Sequence, residues 1–295
     1  MAIESSEVNI AFIINPISGT SQKKKIKRQI QKIFGYDNYK YTIVETECEG
    51  HAISLASEMS KNHDIVVAVG GDGTLNEVVR GVANTKAKLG IVPCGSGNGL
   101  ARHLKIPLNS AKALKAIKNG KEHIIDTVAF DGIPFVNVSG IGFDAQVAHK
   151  FAKSKRRGRF TYFCNIVCLY FSFKPIEVSI STENQTFDRK VLLVAFANSS
   201  QFGYDAVISP ISDVTDGIME VCILKPLNSF FSIFRVAKAM FTKTMHKCKY
   251  LEIIQTKKTS ITTKKPVASH IDGSPHVINT SFEIEMNNEP VVIIF

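Results

Sequence analysis

Two glycine-rich turns constrain this 295-residue chain more than any other feature. Gly70-Gly71-Asp72-Gly73-Thr74 and Gly95-Ser96-Gly97-Asn98-Gly99 each stand where a short apolar run gives way to a helical pattern. Glycine lets main chain approach a bound group closely, while a helix N-terminus supplies N–H donors and the positive end of a dipole. The pair therefore predicts a phosphate site assembled from loops. Its surroundings agree: Val8 to Ile14, Tyr41 to Val44, Ile65 to Val69 and Leu89 to Pro93 read as strands. Between and after them, Ser21 to Phe34, Gly50 to Ser60, Thr74 to Ala83, Asn98 to Leu104 and Ser110 to Asn119 read as helices. Such alternation predicts βαβ units and a parallel sheet, whose ligands bind outside the carboxyl ends of the strands. Asn15-Pro16-Ile17-Ser18-Gly19 follows the first strand, and Thr46 with Gly50-His51-Ala52 follows the second, so all four strand ends carry small or polar residues.

Beyond about residue 128 the pattern changes. Phe135 to Val138, Ile176 to Ile180, Val191 to Ala197, Ile218 to Leu224, Tyr250 to Ile254, Phe282 to Met286 and Val291 to Phe295 are strand-like, broken by helical patterns near Arg159 to Phe171 and Ser229 to Met240. This predicts a second domain, a largely antiparallel β-sandwich or barrel.

Composition excludes several classes. Hydrophobic residues at 44 % and charged residues at 21 % are globular values, sufficient for a sizeable core. No stretch reaches the roughly 18 to 20 consecutive apolar residues of a membrane span, and MAIESSEVNI lacks a signal-peptide profile, so the expected location is cytoplasmic. Cys48, Cys94, Cys164, Cys168, Cys222 and Cys248 are scattered with no C-x-x-C pair, and are expected to be buried, reduced thiols.

The formal net charge of +10 is unevenly placed. From His149 to Ile176 there are seven Lys/Arg and no acid; from Val221 to Leu251 there are six, again with no acid. Both tracts run into aromatics, the second into Phe230, Phe231, Phe234 and Phe241. Basic residues beside aromatics suit an anionic membrane surface, although solvated faces give the same pattern. No nucleic-acid-binding motif accompanies the charge, so no nucleic-acid partner is expected.

Familiar phosphate signatures are missing. No G-x-G-x-x-G opens the first helix, and the only Gly-Lys pair, Gly120-Lys121, is followed by Glu122 rather than Ser or Thr. Protein-kinase strings are absent too, and Ser96 has glycine on both immediate sides instead of the spacing of a nucleophile elbow.

The motifs that are present resemble the diacylglycerol kinase catalytic domain superfamily, which includes bacterial soluble lipid kinases and the sphingosine and ceramide kinases. The resemblance covers nearly the whole chain. It is carried by Asn15-Pro16-x-Ser18-Gly19, Val69-Gly70-Gly71-Asp72-Gly73-Thr74-x-Asn76-Glu77, Pro93-x-Gly95-Ser96-Gly97-Asn98-x-Leu100-Ala101, Gly142-Phe143-Asp144-Ala145, Asp216-Gly217 and Asp272-Gly273. Taken alone, G-G-D-G-T is shared with NAD kinases; joined by the G-S-G-N loop and the later motifs in order, it is specific.

The resemblance implies an α/β nucleotide-binding domain over residues 1–128 and a β-sandwich acceptor domain over 129–287, with the final residues, about 288–295, packing back onto the first. It implies transfer of the γ-phosphate of ATP, with Mg²⁺, to a lipid hydroxyl of diacylglycerol or sphingoid type. Asn15, Pro16, Ser18, Gly19, Thr46, Gly70, Gly71, Gly73, Thr74, Asn76, Glu77, Gly95, Ser96, Gly97 and Asn98 would bind nucleotide. Asp72 would organise Mg²⁺ or the phosphates, although a lone Asp there also fits a helix N-cap. Asp272 would be the general base, although Asp-Gly also fits a β-turn. Asp126 would join the metal and water network, and Asp144 would line the acceptor side. Asp213, Asp216 and Ile218 resemble a structural Mg²⁺ site of bacterial members, for which a simple turn is the alternative. The implied setting is an anionic membrane surface reached by peripheral association, with a sandwich edge open to a homodimer. Ser274-Pro275 replaces the Glu that usually follows Asp-Gly. That change keeps a catalytically degenerate nucleotide-binding protein among the alternatives, beside an NAD kinase-like enzyme.

Overall fold

The computed structural model describes residues 7–16, 23–36, 38–154 and 159–295. Ser18 and Gly19 of the proposed nucleotide set, and Lys155, Arg156 and Arg157 of the first basic tract, lie outside them. The described chain forms two units: Met1–Ile125 with Glu289–Phe295, and Asp126–Asn288.

The first unit is a six-stranded sheet in the order β2-β1-β3-β4-β16-β5. Its strands are β1 (Val8–Ile14), β2 (Tyr39–Glu45), β3 (Ile65–Gly70), β4 (Lys88–Pro93), β5 (Glu122–Ile125) and β16 (Val291–Ile294). The first four are mutually parallel, and β16 continues parallel to β4 while pairing antiparallel with β5. β3 is buried at every position and β1 at its last five, so these read as unbroken apolar runs, as in a sheet covered on both faces. The covering helices are α1 (Lys23–Phe34), α2 (His51–Met59), α3 (Asp72–Val82), α4 (Gly99–His103) and α5 (Ser110–Asn119). α2 and α3 pack closely enough that a Cβ on Gly81 would come within 2.5 Å of the Ala56 Cβ.

The second unit is a ten-stranded, wholly antiparallel sheet. Its strands are β6 (Val128–Phe130), β7 (Ile133–Phe135), β8 (Val138–Gly142), β9 (Ile176–Thr182), β10 (Thr186–Val191), β11 (Leu193–Ala197), β12 (Met219–Leu224), β13 (Leu251–Thr256), β14 (Lys258–Ile271) and β15 (Ser274–Met286). Three helices, α6 (Phe143–Ala152), α7 (Arg159–Tyr170) and α8 (Phe230–Phe241), and a 3₁₀ turn at Met245–Lys247 complete it. β14 holds the sheet together: its first half pairs with β9 and its last residues with β8, and register shifts at Thr262/Val267 and Ala268/His270 allow the change of neighbour. Phe130, Phe135, Phe196 and Phe282, all fully buried, form the core between these strands.

Three sequence expectations need correction. The run Phe135 to Val138 is not one strand; it divides into β7 and β8, because the N–H groups of Val136 and Asn137 donate to the Asp272 carboxylate instead of to a neighbouring strand. α6 occupies a segment in which no helix was expected, and most of the polar residues of β14 and β15 lie in strands that were not expected. The cysteines are all free, but only Cys222 is buried: Cys94, Cys164 and Cys248 are half-buried, and Cys48 and Cys168 are exposed.

Candidate active site

In the first unit the two glycine turns touch. The Gly70 carbonyl accepts the N–H groups of Cys94 (2.7 Å) and Gly95 (3.2 Å), which places the second turn against the first. A Cβ on Gly95 would stand 2.5 Å from the Gly71 Cα, so Gly95 needs glycine for approach and not for dihedral freedom, while a Cβ on Gly71 would stand 3.1 Å from the Gly95 Cα. Asp72 bolts the turns together: its carboxylate accepts the Asn98 N–H at 2.8 Å and the Gly99 N–H at 2.7 Å. Burial holds the Asp72 carboxyl above its ordinary value, while those two N–H groups and Arg102 pull it back down. Asp72 therefore already occupies the amino end of α4.

Asn98 sits in the left-handed region (φ 51°), and its side chain closes on Gly95, accepting that residue's N–H at 3.1 Å and donating to its carbonyl at 2.8 Å. The Arg102 Nε donates to the Gly97 carbonyl at 3.0 Å, which holds the outer rim of the turn, Ser96 and Gly97, over the start of α4. Asn15 joins from β1, donating through Nδ2 to the Thr74 Oγ1 at 2.9 Å, with Pro16 next in the chain. Gly73 and Thr74 lie in the first turn of α3, and Asn76 is buried on the same helix. Thr46, also buried, donates its N–H to the Ile14 carbonyl. Glu77, expected among the nucleotide-binding residues, turns its carboxylate to the start of α2. Its carboxylate accepts the N–H groups of Gly50 (3.0 Å) and Ala52 (3.1 Å) and so caps α2.

The second unit gathers another set of residues. Asp272 and Gly273 form the two-residue turn between β14 and β15, both with positive φ (48° and 81°), as a type I′ hairpin requires. Asp272 is thus both the turn residue and a buried acid, 5 % exposed, whose carboxylate accepts from Val136 N–H at 3.2 Å and Asn137 N–H at 2.9 Å. Beside it is His270, for which no role was expected. Its Nδ1 accepts the Gly273 N–H at 3.1 Å, so the ring carries its proton on Nε2 and donates it to Asp144 Oδ2 at 3.0 Å. Asp144 also accepts the Ala145 N–H, at the amino end of α6. One histidine therefore fixes the hairpin turn and the Asp144 carboxylate together.

Asp126 is drawn to a third place. Its carboxylate accepts the Gly217 N–H at 2.7 Å, its N–H donates to Val214, and its carbonyl accepts from the Asn198 side chain. It therefore belongs with the 213–218 loop. Asp216 is raised above its ordinary value first by burial and then by the charges of Asp213 and Asp126.

A family model for the diacylglycerol kinase catalytic domain matches residues 9–130, and one for the YegS C-terminal NAD kinase beta sandwich-like domain matches residues 137–285. A diacylglycerol kinase of Bacillus subtilis strain 168 is 30 % identical over 223 residues, covering 74 % of each chain. The chain belongs to the diacylglycerol kinase catalytic domain family. A diacylglycerol kinase of Staphylococcus aureus strain MRSA252 is likewise 30 % identical, over 226 residues, 74 % of this chain and 70 % of its own. Among solved structures, a diacylglycerol kinase of Bacillus anthracis str. Sterne superposes with a TM-score of 0.73 at 19 % identity, over 99 % of this chain and 97 % of its own. An NAD kinase of Archaeoglobus fulgidus, solved in complex with ATP, superposes at 0.55 and 13 % identity, over 97 % and 93 % of the two chains. These two likenesses establish the fold: a mostly parallel α/β sheet followed by an antiparallel sheet.

The 213–218 loop carries the oxygen donors that a hard cation takes. Asp126, Asp213 and Asp216 offer only hard oxygens, and Asp216 feels the unbalanced charge of the other two, a donor set that suits Mg²⁺. Among the described residues no three His, Cys, Asp or Glu converge as a metal cluster. An ion held by Asp216 would therefore draw on main-chain carbonyls, such as those of Asp213 and Ile218, and on water. No helix among the described residues is long and apolar enough to cross a membrane.

Proposed function

We propose that this chain transfers the γ-phosphoryl group of ATP to a hydroxyl of a diacylglycerol or sphingoid-type lipid presented at an anionic membrane surface. The observation that carries the reading is Asp272: a carboxylate buried on a two-residue turn, aimed by two main-chain N–H groups and flanked by the His270–Asp144 pair. In phosphoryl transfer most of the catalysis is positioning and charge stabilisation, and the protein's own chemical contribution is acceptance of the attacking hydroxyl's proton. Asp272 takes that proton, and Asp144 lines the acceptor side.

The nucleotide lies on the strand ends of the first unit, against Asn15, Gly70, Gly71, Gly73, Thr74 and the Gly95 to Asn98 turn. Asp72 keeps the two turns in register. Magnesium, when bound, neutralises the developing charge on the phosphates. Glu77, as the cap of α2, supports the loop after β2.

The test is transfer of labelled γ-phosphate from ATP with Mg²⁺ to diacylglycerol, monoacylglycerol, sphingosine and ceramide in micelles, with NAD as a soluble control. Label on one lipid is expected, falling by roughly 10²- to 10⁴-fold in Asp272→Asn. Label on NAD alone supports an NAD kinase-like enzyme. ATP binding without transfer to any acceptor supports a degenerate nucleotide-binding protein, with Ser274 in the place of the family's Glu.

A further inference from the structure

We infer that the outward face of α8 is a membrane-docking surface, its phenylalanines entering an anionic bilayer and its cations meeting the headgroups. The helix is firmly built: Ser229 and Ser232 form a reciprocal capping box at its start, and Val236 is buried in the hydrophobic cluster beneath it. That inner face has its partners. The outer face carries Phe231 (76 % exposed), Phe234 (61 %) and Phe241 (59 %). These positions recur at i, i+3 and i+10, which is one side of a helix with 3.6 residues per turn. Together they expose apolar area on the order of 400 Å², a sizeable patch for one helix.

Arg235 and Lys238, both exposed, run along the same side, and Lys243, Lys247 and Lys249 continue the charge beyond the helix. No acid occurs between Glu220 and Glu252, so every charge this segment contributes to the face is positive. That charge decides among the occupants. A second copy of the chain would set cations against cations, whereas an anionic lipid surface complements the charge and, being fluid, accepts three projecting rings without a preformed groove. The Tyr170 hydroxyl donates to the Leu227 carbonyl at 2.5 Å, which brings the end of α7, with Phe171 81 % exposed, to the loop that enters α8. Below the helix, Val236 shares its cluster with Phe143, the residue before Asp144. The hydrophobic cluster under α8 therefore reaches the segment that carries Asp144.

The inference rests on the lipid-kinase reading for its purpose, so it is tested without catalysis. Co-sedimentation of the full chain is measured, with no nucleotide, on vesicles of phosphatidylcholine alone and of phosphatidylcholine with phosphatidylglycerol. Binding only to the anionic vesicles is expected, falling roughly 100-fold in Phe231→Ser/Phe234→Ser/Phe241→Ser and roughly 30-fold in Arg235→Gln/Lys238→Gln. Unchanged circular dichroism and melting temperature establish that these surface variants are folded. Phosphoryl transfer to a dispersed short-chain acceptor should be unaltered in both, and a chain with no lipid kinase activity that still shows this vesicle dependence would fail the functional reading while the docking inference stands. Wild-type vesicle affinity in the triple-Phe variant overturns the inference. So does a dimer that the triple-Phe variant converts to monomer, or binding of equal strength to the two kinds of vesicle.

Discussion

His270 Nε2 lies 3.0 Å from Asp144 Oδ2, two buried side chains 126 residues apart in the chain. The imidazole faces the Gly273 N–H with its other nitrogen, so it joins the β14–β15 turn to the start of α6. Neither Asp272 nor Asp144 is held by local sequence alone.

Replacing His270 with Leu strips Asp144 Oδ2 of a donor and leaves the Gly273 N–H without its acceptor. The expected cost is about 2–3 kcal/mol, since a buried carboxyl oxygen and a main-chain donor both lose a partner. His270→Gln, which can restore the donor to Asp144, should recover part of that loss. Denaturant unfolding of the three proteins checks both expectations. Equal stability of His270→Leu and wild type would show that the ring is dispensable.

The glycine turns predict an asymmetry. In Gly95→Ala the new Cβ meets the Gly71 Cα at 2.5 Å, main chain against main chain, with the Asn98 Oδ1 at 2.9 Å. In Gly71→Ala the closest approach is 3.1 Å, and φ is an ordinary −94°. Gly95→Ala should therefore lose about 1–3 kcal/mol of stability and weaken ATP binding strongly, with Gly71→Ala milder in both. Calorimetric titration of ATP beside thermal melts measures the ranking, and a Gly71→Ala defect larger than that of Gly95→Ala would contradict the contact geometry.

Glu77 separates a structural contribution from a ligand contact. Glu77→Ala leaves the N–H groups of Gly50 and Ala52 without their carboxylate at the amino end of α2, a loss of about 1–2 kcal/mol. The melting temperature should fall while the KM for ATP changes little. A raised KM at an unchanged melting temperature would return Glu77 to the nucleotide.

How much of this was readable from the sequence depends on how local the information is. β3 and β4 are apolar runs ending in glycine turns, and both signals lie within a few residues of each other, so the parallel sheet and its strand-end loops were legible. Of the long hairpin only the end, Phe282 to Met286, was. Lys258–Ile271 and Ser274–Met286 are rich in Thr, Ser and Lys and are exposed along much of their length, so over most of it they lack the apolar periodicity that marks a strand. α6 starts directly from the apolar strand Val138–Gly142, and nothing in Phe143-Asp144-Ala145 announces the change. Asp272 was recognisable as the acid of an Asp-Gly turn, but its grip on Val136 and Asn137 spans more than 130 residues. His270 had no motif around it; the only available signal was its position two residues before Asp272.

Cysteine reactivity reports on the junction of the glycine turns. Burial pushes the Cys94 thiol up to about 11, and the Cys94 N–H donates to the Gly70 carbonyl at 2.7 Å, so the residue is fixed at the seam between the turns. Thiolate is the nucleophile, and at about pH 8 only on the order of one Cys94 in a thousand would be ionised. Cys48 and Cys168 are exposed. Iodoacetamide at that pH should therefore alkylate Cys48 and Cys168 while sparing Cys94, whose labelling should climb steadily as the pH is raised towards 11. Peptide mapping by mass spectrometry gives each rate separately. Labelling of Cys94 at the rate of Cys48 near pH 8 would mean that the seam opens in solution, and suppression of that labelling by ATP would place the nucleotide against the same turns.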